Sequence, residues 1–82
     1  KSLRTPDHLR LISLLHAARE KAGLTQQQLA DRLGKPQSFV AKYEGGERRI
    51  DVVEFLAIAR ALDLDPARAV REMAEKYDKG KR

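Results

Sequence analysis

An all-α fold, a compact bundle of five helices, is expected from three features of this chain. Apolar residues recur at three- and four-residue spacing in five stretches, and nowhere do they alternate as a half-buried strand would. Those stretches are bounded by capping residues, prolines and glycines. The only aromatic residues are Phe39, Tyr43, Phe55 and Tyr77, so Leu, Ile, Val and Ala must build the core, which suits packed helices. The 82 residues make a single domain, 1–82, with a core over about 6–70 and basic tails at 1–5 and 78–82.

The first helix is expected over 6–22. Thr5 is an N-cap, and Pro6 suits the first helical position, where its missing N–H has no intrahelical partner to lose. Leu11, Ile12, Leu14, Leu15, Ala18 and Ala22 give a broad apolar face, and Gly23 ends it with Leu24 available to pack back. His8 and His16 are eight residues apart, about 12 Å along a helix axis. They are too far apart to share a metal ion, so no metal is expected and both read as surface or structural residues.

Thr25 and Gln28 form a capping box that opens the second helix, where Leu29, Ala30 and Leu33 share one face. Gly34 closes it in the left-handed backbone that glycine tolerates. Lys35 is held extended by the proline after it, and Pro36 opens the third helix. In that helix, about 37–44, Val40 and Tyr43 face inward while Gln37, Ser38, Ala41 and Lys42 look outward. Phe39 is either a wedge between this helix and the rest or an outward apolar contact. Gly45-Gly46 stops the helix, and a loop carries Arg48 and Arg49.

Asp51 with Glu54 is a second capping box, opening a fourth helix over 52–62 whose inward stripe is Val52, Phe55, Leu56, Ala59 and Leu62. Val53, Ala57 and Ile58 lie off that stripe, either absorbed by the core or turned toward another subunit. Asp65-Pro66 starts a fifth helix with Ala67, Val70, Met73, Ala74 and Tyr77 at helical spacing, which either closes the core or projects as a dimer arm. The ending DKGKR is expected to be a disordered basic tail with weak nonspecific attraction to DNA.

Charge narrows the function. The net charge is +5, yet 51–75 holds six acids against three arginines while the segments on either side are net positive. A polyanion is therefore attracted to the central stretch and repelled by the acidic one. With no cysteine there is no disulfide framework or thiolate zinc site, which is compatible with a reducing cytoplasm. No apolar run reaches membrane-spanning length, and the opening KSLRTPDHLR has no signal segment, so a soluble cytoplasmic protein is expected. Neither a glycine-rich phosphate loop nor a triad-like set is present, so neither an enzyme nor a cofactor is expected.

The stretch Thr25–Glu44, two short helices around one tight corner, carries the functional reading. A short helix with an outward row of amide, hydroxyl, small and cationic side chains is suited to reading base edges in a major groove. Gln26 is placed with the first amides of its helix to hold a phosphate. Arg48 and Arg49 sit on a glycine-rich loop that can track a DNA backbone.

Over about residues 9–70 the chain resembles the Cro and phage-repressor-like helix-turn-helix family, the xenobiotic-response-element type. The resemblance is carried by Arg19, GLTQQQLADRLGKPQSFVAKYEGGERRI and LAIARALDLD, including Ala30 and Gly34. It implies a helix-turn-helix formed by helices 2 and 3, a third helix in the major groove, and a nucleoid-associated repressor that binds double-stranded DNA as a homodimer on a palindromic operator. By position it makes Gln37, Ser38 and Lys42 base readers, with Ala41 allowing close approach or touching a thymine methyl. Gln26, Lys35, Arg48 and Arg49 become backbone contacts. It also pairs Arg19 with Glu44, a brace that fits a glutamate otherwise badly placed beside phosphates. Lys35 and Pro36 depart from the pattern, which commonly has an apolar turn residue and a Ser or Thr cap. The alternative within the same resemblance is a coactivator- or antitoxin-like adaptor that binds a protein partner.

Overall fold

The Thr5 side chain accepts the His8 amide at 3.2 Å and Pro6 leads the first helix, so α1 runs Pro6–Lys21. The computed structural model describes residues 5–81, with side chains from 5 to 75. Residues 1–4 of the expected basic tail, Arg82 and the Tyr77 side chain lie outside that range. Four further helices follow: α2 (Gln26–Leu33), α3 (Gln37–Glu44), α4 (Val52–Ala61) and α5 (Pro66–Lys81). Among the described residues all regular secondary structure is helical.

Local chemistry accounts for the boundaries. Thr25 and Gln28 satisfy each other's backbone amides at 3.0 and 2.9 Å, and Asp51 and Glu54 do so at 2.7 and 3.0 Å. Gly34 has φ 67°, and the Lys35 amide reaches back to the Ala30 carbonyl at 3.0 Å. A Cβ on Gly34 would meet no atom within 4 Å, so the backbone conformation, and not space, calls for glycine. Where no glycine follows α4, Asp63 takes the left-handed turn at φ 57°, a conformation that Asp tolerates better than most residues.

Helix α1 packs on α3 and α5, α2 packs on α3 and α4, and α4 packs on α5. The core between them has Leu15, Leu29, Val40, Tyr43 and Ile58 fully buried, with Ile12, Ala30, Phe55, Leu62 and Ala69 around them. His8 is buried among these elements, and burial together with the nearby charge of Arg49 lowers its pKa.

Three sequence expectations are corrected. Val52, placed on the inward stripe of α4, is 73% exposed, whereas Ile58, placed off it, is wholly buried. The buried stripe is Phe55, Ile58, Ala59 and Leu62, because packing turns the inward face away from Val52 and toward Ile58. Among the described side chains of α5 the buried one is Ala69, and Val70 is 53% exposed. The first turns of α5 thus close the core through a small side chain. They leave Val70 beside an open apolar groove of about 520 Å³ bounded by Leu11, Ile50, Val52, Phe55 and Met73. Finally, α5 continues to Lys81, through most of the expected disordered tail. Helix propagation fixes one residue per hydrogen bond gained, and an isolated glycine such as Gly80 weakens a helix by about 1 kcal/mol without stopping it.

The rotation of α4 has a measurable consequence. Ile58→Ala is expected to destabilise the domain by about 3 kcal/mol in urea denaturation. Val52→Ala should stay within about 0.5 kcal/mol. Equal costs would place the buried stripe elsewhere.

Candidate nucleic-acid interface

The site is built outward from Glu44, the last residue of α3, whose side chain is only 5% exposed. Burial pushes its carboxyl upward, but hydrogen bonds from Arg19, His16 and Gln26 outweigh that and hold it below the usual range. Arg19, buried on α1, donates from Nε to Glu44 Oε2 at 2.8 Å and from Nη2 to Oε1 at 3.0 Å. Its Nη1 donates to the Leu24 carbonyl at 2.7 Å, so one guanidinium ties the end of α3 to the turn between α1 and α2.

A relay leads from this carboxylate to the outer face. Gln26 Nε2 donates to Glu44 Oε1 at 3.1 Å, and Gln37 Nε2 donates to Gln26 Oε1 at 2.7 Å. An ionised carboxylate can only accept, so Gln26 must present its NH₂ to Glu44 and its carbonyl oxygen to Gln37. Gln37 must then donate, which leaves its own Oε1 and second N–H for another partner. Glu44 therefore settles the orientation of two amides that geometry alone would leave ambiguous.

Around Gln37 the outer face of α3 is open. Ser38 and Lys42 are exposed and Ala41 is half-buried. Phe39 is 9% exposed, edge-on to Tyr43 with ring centroids 5.5 Å apart, which makes it the wedge and not an outward contact. The ammonium of Lys35 lies 5.5 Å and the guanidinium of Arg48 4.8 Å from the Phe39 ring centroid. Pro36 gives α3 no side-chain cap, so this packing seats the start of the helix.

Arg48 makes a two-pronged pair with Glu54, at 3.0 and 2.8 Å, and donates to the Arg49 carbonyl at 2.8 Å. That pair, with the Asp51 amide, pulls Glu54 down to about 2. Arg49 is exposed on the same loop. The structure thus joins Arg19, Glu44, Gln26 and Gln37 in one network, with Ser38, Ala41 and Lys42 beside its outer end. Lys35 and Arg48 flank Phe39, and Arg48 is tied to α4 through Glu54. Sequence reasoning missed His16, whose ring contacts Glu44, and the Arg48–Glu54 pair. Neither has a helical-spacing signal, since the first joins α1 to α3 from 28 residues away and the second reaches from a loop into α4.

A helix-turn-helix family model matches residues 15–68 of this chain. Among solved structures, it is similar to an XRE-family like protein from Pseudomonas syringae pv. tomato str. DC3000, with 44% identity, TM-score 0.83, and 85% of each chain covered. It is also similar to the restriction-modification controller protein C.AhdI from Aeromonas hydrophila, with 32% identity and TM-score 0.73 over 79% of this chain and 98% of that one. The clp gene regulator ClgR from C. glutamicum shares the fold at 19% identity, with TM-score 0.76 over 89% of this chain and 95% of that one. No curated protein matches the chain.

Removing the guanidinium would strand Glu44 in a buried site. Arg19→Met is therefore expected to cost about 3 kcal/mol in urea denaturation. Adding Glu44→Leu should recover part of that loss, because the unpaired charge is then gone as well. An unchanged midpoint for Arg19→Met would remove the pair from the account of stability.

Proposed function

This chain belongs to the XRE-type helix-turn-helix family, and on that premise we propose that it is a sequence-specific repressor binding double-stranded DNA as a homodimer on a palindromic operator. Its family role is that of a DNA-binding transcriptional regulator. The observation that carries the sequence-specific reading is the Gln26–Gln37 hydrogen bond, which engages one Gln37 N–H and leaves its Oε1 and second N–H for a partner. That pattern matches the N6 amino group and N7 of adenine in the major groove.

Lys42 then meets a guanine edge, Ser38 a base or a phosphate, and half-buried Ala41 allows close approach or touches a thymine methyl. Lys35, Arg49, and Gln26 with the first amides of α2 take the phosphates that set register. Arg48, with most of its donors given to Glu54 and the Arg49 carbonyl, mainly shapes the loop and adds a weaker phosphate contact. The groove beside Val52 and Val70 supplies apolar surface for the second subunit. No helix among the described residues is long and apolar enough to cross a membrane, and the proposed setting is the nucleoid in the cytoplasm.

The same groove would serve an adaptor that binds a protein partner. Lys42→Ala separates the readings: a repressor loses duplex binding, whereas an adaptor, docking its partner on a groove that Lys42 does not line, keeps its partner and has no specific duplex binding to lose.

Selection of duplexes from a random pool is expected to return two inverted half-sites with centres about 10 base pairs apart. Gln37→Ala should abolish the preference for adenine at one position per half-site, a loss of about 1–3 kcal/mol. Lys35→Ala should weaken all duplexes alike and reduce the slope of log affinity against log salt by about 1. Absence of any preference over random duplex, at every salt concentration, would sink the reading.

A further inference from the structure

His16 stands outside the Arg19–Glu44 pair but leans on it from the solvent side, with its side chain 47% exposed. Its Nδ1 lies 2.9 Å from Glu44 Oε1, and its Nε2 lies 3.1 Å from Glu20 Oε2. Carboxylate oxygens only accept, so both contacts are hydrogen bonds only when the ring carries a proton on each nitrogen. The seat is therefore built for the imidazolium. The charged groups facing the ring are Arg19 and Glu20 on α1, the former with Nη2 at 3.3 Å from Nδ1, and Glu44 on α3. From α2, the uncharged Gln26 reaches the same Glu44 oxygen.

That shared oxygen matters. Glu44 Oε1 receives His16 Nδ1, Arg19 Nη2 and Gln26 Nε2, and Gln26 in turn holds Gln37. We propose that His16 is a proton-dependent positioning residue for base recognition: as an imidazolium it anchors Glu44 and, through Gln26, sets the amide of Gln37. The inference rests on the reading of Gln37 as a base reader. When the ring loses a proton, one tautomer turns a lone pair toward Glu44 and the other turns one toward Glu20. The first also lets Nδ1 accept from Arg19 Nη2, 3.3 Å away, drawing that donor off Glu44 Oε1; either state gives up one carboxylate contact and the positive charge, and the donors at Glu44 Oε1 are redistributed. Discrimination at the base facing Gln37 therefore declines as pH rises.

The direction agrees with the titration of the ring. The hydrogen bond to Glu44 raises its pKa above the ordinary 6.5, and the charges of Glu44 and Glu20 add to this against burial and Arg19. With the folded value raised, the contact is complete below the unfolded pKa and is lost as pH rises through the folded one. His8 works in the opposite sense, since its lowered pKa makes protonation in acid destabilising.

The test uses the whole chain and two readouts between about pH 5.5 and 8.5, a window that spans histidine titration. In the free protein, NMR should give the His16 ring and the Gln37 side-chain amide a common midpoint, absent from Gln37 in His16→Gln. At fixed salt, the affinity ratio between the selected duplex and one with the Gln37-facing base pair replaced should fall about fivefold across that midpoint. It should be flat in Gln26→Ala and in His16→Gln, and flat but high in the permanently charged His16→Arg. A histidine that merely touches phosphate would weaken both duplexes equally and leave the ratio constant, which overturns the proposal. A Gln37 amide blind to the His16 midpoint overturns it too. If no duplex is preferred at any pH, the base-reading role of Gln37 fails, and the amide titration still decides the coupling on its own.

Discussion

A carboxylate taken out of water must be compensated where it sits, and Glu44 is that carboxylate in this domain. Meeting its demand draws Arg19 from α1 and Gln26 from α2 to the end of α3, while the same arginine grips the Leu24 carbonyl. Three helices thereby converge at one point, and the angle at which α3 leaves the bundle is set there. Because the carboxylate accepts and never donates, it also imposes a direction on the amides beyond it. A glutamate at this place orients in a way that neither a glutamine nor an apolar residue would.

Helix α3 needs such support. Eight residues without a side-chain cap are too few to form a stable helix alone. Val40 and Tyr43 bury its inner face completely, and Phe39 fills the edge against Tyr43, with Lys35 and Arg48 over its ring. Burial pushes the Tyr43 phenol well above its usual range, so it remains neutral in the core. Arg48 then fastens the following loop to Glu54, which also caps α4. Once the inner face and both ends are held, the outer row of α3 need not pack against the core, and it is polar except at Ala41.

The surface around α4 and α5 is different in character. There the acidic stretch 51–75 and the groove beside Val52 and Val70 combine net negative charge with apolar area. Such a surface repels a polyanion, and its apolar area is of the kind that protein contacts cover.

Helix number, helix starts and the tight corner were determined by the sequence itself, because each depends on neighbours a few residues away: Thr25 with Gln28, Asp51 with Glu54, Gly34 before Lys35-Pro36. The outward row Gln37, Ser38, Ala41 and Lys42 was legible for the same reason, since helical spacing alone separates it from Val40 and Tyr43. Tertiary structure decided which of several plausible faces turned inward, so that Ile58 and Ala69 are buried and Val52 and Val70 are not. It also decided which polar groups share a partner. Gln26 meets Gln37 from 11 residues away, His16 meets Glu44 from 28, and Arg48 takes Glu54 in place of open solvent. Periodicity fixes a side chain's angle around its own helix. Only the packing of one helix on another decides what that side chain meets.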